Sequence, residues 1–227
     1  MSLVGTGAIC IWNDITAAAR DDFYAWHLQE HFAERLAIPG FLRARRYSTM
    51  AAGTSPEFFT LYETATPDVT TSPSYLERLN APSVWTTRLT PAFSNTARAV
   101  AKVACSHGVG AGGFIATLRC TFRTGAERKA IVAHLKRPDV LRAFAQKPLI
   151  TGAHFCLTDA AGSTIQTTES RSRADLTAAP DGVILIEGCD LRAVAALARD
   201  TGMGVFALGT AAPVLNLYHL EHIRAAG

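Results

Sequence analysis

The order of hydrophobic periodicities occurs twice along the chain. Residues 8–105 pass through a strand-like run, a helical period, two further strand-like runs, a short helical piece and a last strand. Residues 114–223 pass through the same succession. In the first half, 8–12 reads as a strand, and Asn13 or Asp14 can cap the helical stretch after it. A helix is expected over 21–37, with Ala25, Leu28, Phe32 and Leu36 as its apolar stripe. Pro39-Gly40 ends it. Strands come next at 41–50 and 57–65 around a turn at 51–55, then a short helix at 74–80 and a strand at 96–105.

In the second half, strands are expected at 114–122, 150–157, 183–188 and 214–223. The helical stretches are 126–146, interrupted at Pro138, and a capped helix at 190–200. Two local echoes accompany the repeated order: Trp26-His27-Leu28 against Ala133-His134-Leu135, and Leu61-Tyr62-Glu63 against Leu185-Ile186-Glu187. The order β-α-β-β-α-β is that of the ferredoxin-like split βαβ unit, so the expected class is α+β with two tandem units. The chain divides into a repeat at 1–106, a Gly-rich linker at 107–113 and a repeat at 114–227. The second repeat carries a long insertion at 159–181, too long for an ordinary hairpin connection. The composition of 164–168 favours an extended β-hairpin there, with a lid as the alternative.

Bulk properties narrow the function. Of 227 residues, 48% are hydrophobic and 18% charged, which is globular rather than disordered. A net charge of +3, scattered along the chain, does not suit a nucleic-acid partner. Five cysteines lie far apart without a CxxC pair, which argues against a disulfide framework or a zinc cluster. Nothing approaches the roughly 18 apolar residues of a membrane span. The first residues lack a basic leader, so a cytoplasmic location is expected.

Chemistry concentrates in residues 21–47. His27 and His31 are four residues apart on the expected helix and share a face beside Trp26. The next strand carries Arg43, Arg45, Arg46 and Tyr47, with Phe41, Arg43, Arg45 and Tyr47 alternating onto one side. Three readings compete. In the first, His27 or His31 accepts a proton and Arg43 or Arg45 steadies the enolate or carboxylate that develops. In the second, the pair chelates a metal, but HLQEH has neither the HExxH nor the HxxEH order and no third ligand is evident, so no metal is assigned. In the third, the histidines are boundary residues bonded to Glu30 or Glu34, and the arginines reach water at a rim. The glycines of 108–113 precede a strand instead of joining strand to helix, which makes a linker and not a nucleotide loop. Trp85 and Phe93 are expected to plug a core or a contact.

The run Phe23-x-x-Trp26-His27-x-x-x-His31, then Pro39-Gly40-Phe41 and a strand ending Arg46-Tyr47, resembles the EthD-like branch of the dimeric α/β-barrel superfamily. The resemblance covers roughly residues 8 to 65. It implies two ferredoxin-like units packed sheet to sheet, here within one chain as an intramolecular α/β barrel. It implies a half-open apolar interior for a small hydrophobic or aromatic ligand, and a possible homo-oligomer. It also implies an enzyme working by acid–base or cofactor-free oxygen chemistry, with no cofactor. His27, His31 and Arg43 would then be catalytic, and Trp26, Arg45 and Tyr47 would contact the ligand. A non-catalytic ligand-binding or stress-associated protein on the same fold is the competing expectation. His134 echoes His27, but Ala133 replaces Trp26 and nothing answers His31, so a pocket is expected in the N-terminal half.

Overall fold

Eight antiparallel strands close on themselves in the order β1-β3-β2-β8-β5-β7-β6-β4 in the computed structural model. The structure describes residues 3–51, 53–171, 177–208 and 210–227. The strands are β1 Gly7–Ile15, β2 Phe41–Thr49, β3 Phe58–Thr64, β4 Phe93–Gly108, β5 Phe114–Cys120, β6 Ile150–Thr158, β7 Gly182–Gly188 and β8 Val214–Ala225. Within the first half the spatial order is β4-β1-β3-β2, and within the second it is β8-β5-β7-β6. Each half is thus a four-stranded ferredoxin-like sheet. Each would leave two open edges alone, and the β2–β8 and β4–β6 ladders remove them. β4 runs to Gly108, two residues into the Gly-rich stretch.

The interior of the barrel is filled. Alternation points Trp12, Tyr47, Phe59, Leu61, Ala99, Ile115, Cys156, Val183, Leu185 and Tyr218 inward, where they form one buried cluster. Trp12 donates through Nε1 to Thr117 Oγ1 at 3.2 Å, and the Tyr218 hydroxyl donates to the Pro56 carbonyl at 3.1 Å. A polar network completes the filling. Arg45, wholly buried, meets Glu187 of the other half at 2.6 Å and Glu63 of its own at 3.0 Å. Glu187 also accepts from His154 at 3.3 Å and from the Gly112 N–H at 3.3 Å. Burial alone would raise the Glu187 carboxyl; Arg45 and His154 overcome it and hold it at about 2. The expected half-open interior is therefore absent: aromatic rings and a cross-barrel ion pair occupy it.

The helices lie outside. α1 (Arg20–Trp26), a π turn (His27–His31) and α2 (Phe32–Leu36) form one rod over the first sheet. α3 (Pro73–Asn80) and α4 (Val84–Leu89) pack beside it, each capped by a serine, Ser72 and Ser83. α5 (Gly125–Leu135), α6 (Leu141–Ala145) and α9 (Leu191–Ala207) cover the second sheet. Among the described residues of 159–181 the expected hairpin is not seen. Two four-residue helices, α7 (Ala160–Ser163) and α8 (Thr168–Arg171), stand there instead, and residues 172–176 lie outside the described set. Ser163 binds the Val100 backbone and the Thr177 N–H donates to the Thr96 carbonyl, so this segment of the second half is tied to β4 of the first. None of the described helices is long and apolar enough to cross a membrane.

Candidate functional site between the first sheet and its helices

The rod is locally widened. The Phe32 N–H donates to the His27 carbonyl, five residues back, which defines the π turn. With more residues per revolution, His27 and His31 both turn toward the sheet and are each 4% exposed. The apolar stripe differs from the expected one for the same reason. Leu28 is 39% exposed, while Phe23, Trp26, Phe32 and Arg35 are buried. Trp26 stacks on His31 with ring centroids 4.0 Å apart and donates through Nε1 to Thr86 Oγ1 at 3.0 Å. His27 Nε2 lies 3.4 Å from the Tyr62 hydroxyl, with the Phe23 and Phe32 rings against it. Burial lowers the His27 pKa well below its ordinary 6.5, and the neighbouring His31 and Arg46 lower it further, so His27 is neutral at pH 7. Glu30 accepts from Ser83, and Glu34 pairs with Arg78.

A cavity of about 230 Å³ opens beside His31 on the outer face of the sheet. Ile9, Ile11, Phe41, Leu76 and Leu79 give it apolar walls. His31, Tyr62, Arg35, Tyr75 and Arg98 bring polar groups to it, and residues 162–170 and 177–179 of the second half supply its remaining wall. Arg35 is buried against Glu169 of α8, with its guanidinium 5.9 Å from the centre of the Tyr75 ring. Arg98 donates to the Tyr75 hydroxyl at 3.0 Å. Among the described residues, no group of three or more His, Cys, Asp and Glu is placed to hold a metal ion.

The expected grouping of histidines with basic strand residues does not form. His27, His31 and Trp26 face the sheet from outside, whereas Arg43, Arg45 and Tyr47 point into the barrel. Arg43 pairs with Glu63 at 2.7 Å, and burial raises the Tyr47 hydroxyl pKa above its ordinary value. Phe41 departs from their face as well. A bulge between Phe41 and Arg43 turns it outward to join Ala44 and Tyr62. Of the six residues singled out from the sequence, His31 alone lines the cavity. His27 reaches it through Tyr62, and Trp26 backs His31. Arg35, Tyr62, Tyr75, Arg98 and Glu169 went unrecognised. Tyr62 and Arg35 lay within segments already read as strand and helix, while nothing local in the sequence singles out Arg98 or Glu169. Of the remaining histidines, His154 is fully buried in the barrel network and accompanied by Ser106 at 2.8 Å. His222 stacks on Phe32 at 5.4 Å.

No protein-family model matches the sequence, and no curated protein matches it. Solved structures do match the fold along nearly the whole chain. An anthrone oxidase-like protein superposes with a TM-score of 0.62 at 12% identity, over 97% of this chain and 93% of that one. A candidate monooxygenase from Fusobacterium nucleatum gives 0.58 at 8% identity, over 99% and 97%. A heme-binding protein from Thermus thermophilus gives 0.55 at 10% identity, over 96% and 92%. The chain therefore has the dimeric α/β-barrel fold, with both four-stranded units supplied by one polypeptide.

Proposed function

We propose that the cavity beside His31 binds a small aromatic molecule and that His31 serves there as a proton acceptor. The observation that carries this reading is convergence. An imidazole, two phenols and two guanidinium groups meet at one small, largely apolar space, the arrangement expected of a ligand site. His31 would take a proton from an acidic O–H or C–H of the ligand, and the cationic rim would steady the anion left behind. Tyr62, in contact with neutral His27, can relay a hydrogen bond to the same space. An electron-rich anion of this kind is a substrate for direct reaction with dioxygen. The names of the matched anthrone oxidase-like and candidate monooxygenase structures support that chemistry as the first to test. The EthD-like pattern around Trp26 and His31 supports the same reading.

Haem does not suit the cavity as formed. At about 230 Å³ it falls below the roughly 300–1,000 Å³ of pockets for drug-sized ligands. One- or two-ring molecules are the right scale.

The test is a thermal-shift screen of phenols, naphthols and aromatic acids, followed by oxygen-uptake and exchange assays with the binders. His31→Ala is expected to leave the fold cooperative and to lower turnover about 10²- to 10⁴-fold, the range for loss of a general base. Unchanged turnover in that variant would remove His31 from the chemistry. Binding without turnover of any ligand would favour a non-catalytic carrier.

A further inference from the structure

Resting on the reading of the cavity as an aromatic-ligand site, we propose that its ligand is a monoanionic aromatic acid whose carboxylate is received by Arg35 and Arg98. The charge balance of the wall motivates this. The described lining residues include two guanidinium groups, Arg35 and Arg98, and one carboxylate, Glu169. Among the described residues one positive charge is left over at a space with apolar walls of Ile9, Ile11, Phe41, Leu76 and Leu79. Of the two cations Arg35 is the buried one, where the apolar surroundings solvate charge poorly.

The two cations are not equally served. Arg35 is 4% exposed, and its Nη2 is taken by Glu169. Its Nη1 is buried with no acceptor among the described residues, and Arg35 is part of the cavity wall. Arg98 has the Tyr75 hydroxyl as its partner and forms no ion pair among the described residues. Tyr75 links the two: its hydroxyl accepts from Arg98 while its ring lies 5.9 Å from the Arg35 guanidinium. Two guanidinium groups flanking one phenol make a receptor for a planar oxyanion, since each can give parallel N–H donors to a carboxylate. Glu169 has a supporting role. α8 is too short to hold itself, and the Thr168 N–H bond to Asn80 Oδ1 at 3.1 Å fastens it to the first half. Its carboxylate anchors one side of the Arg35 fork and leaves the other to the ligand.

The experiment compares 2-naphthoate with 2-naphthamide, which has the same rings and nearly the same shape but no charge. Binding to the full chain is measured by calorimetry, with melting followed in parallel. The acid is expected to bind at least about tenfold more tightly than the amide, a difference of about 1.4 kcal/mol. Arg98→Met removes a half-exposed side chain and should keep the fold while erasing that preference. Arg35→Gln paired with Glu169→Gln should also erase it without leaving a lone buried charge. Glu169→Gln alone should strengthen the acid and leave the amide unchanged. Equal binding of acid and amide to the unaltered protein would overturn the anion assignment and leave the aromatic site standing. Binding of neither, together with a blank phenol and naphthol screen, would overturn both.

Discussion

At the scale of single residues, the histidine pair was legible from spacing alone, but its direction was not. Residues four apart on a helix share a face in any register, so His27 and His31 had to travel together. The apolar stripe suggested that they flank the buried side. The π turn rotates the rod, burying them and carrying Leu28 to the surface. A buried, neutral imidazole has a measurable consequence. The His27 pKa is depressed in the native protein by burial, then by His31 and Arg46, with His222 and Arg35 adding to the cationic surroundings. Below about pH 6.5 the unfolded chain takes a proton that native His27 refuses, at about 1.4 kcal/mol per pH unit. This contribution is complete above pH 6.5 and is lost as pH falls toward the depressed native value. His27→Gln should therefore flatten the melting temperature against pH between pH 7 and pH 5. The depressed His222 keeps its own slope in both proteins. Parallel curves for the two proteins would show that His27 is not the group responsible.

At the scale of elements, most strands and helices could be read from periodicity, and the misplacements occurred where regular alternation breaks. The bulge after Phe41 changes which side chains share a face in β2, and alternation counted from the sequence cannot contain it. Residues 160–171 fold as two short helices because their partners are remote: Ser163 bonds to Val100 and Thr168 to Asn80. Local composition carries no trace of such contacts. The glycines of the join between halves are not interchangeable. A Cβ on Gly112 would stand 2.3 Å from the Gly188 carbonyl oxygen, a backbone atom that cannot step aside. Its N–H also donates to Glu187 at 3.3 Å, so displacing it disturbs the barrel network. Gly110 faces open space. Gly112→Ala should cost about 1–3 kcal/mol, and Gly110→Ala should stay within about 0.5 kcal/mol of the parent protein. Urea denaturation of the two variants separates a packed crossing from a plain flexible linker, for which both changes would be small.

At the scale of the molecule, the barrel needs two different halves. In the first half Arg45 pairs with Leu61 and Tyr47 with Phe59, and in the second His154 pairs with Leu185 and Cys156 with Val183. The sequence could not reveal that these positions face each other across a filled lumen. The first half contributes the large rings Trp12, Tyr47 and Phe59, and the second answers with a single ring, Tyr218, and the smaller Cys156, Val183 and Leu185. Two copies of the first half would crowd the interior, two of the second would leave it hollow, and both faults are costly. The charges divide in the same way, because Arg45 of one half is balanced by Glu187 of the other as well as by Glu63. Separately produced segments 1–112 and 113–227 are therefore expected to lack a cooperative melt alone. Each keeps two open sheet edges and half of a core. Mixed, they should assemble one to one and recover a cooperative transition, with the cavity rebuilt because residues 162–170 of the second segment cover His31 and Arg35 of the first. Sedimentation of the mixture and of each segment decides the matter. A first segment that folds stably alone, or pairs with itself as readily as with the second, would mean that the asymmetry of the interior does not govern assembly.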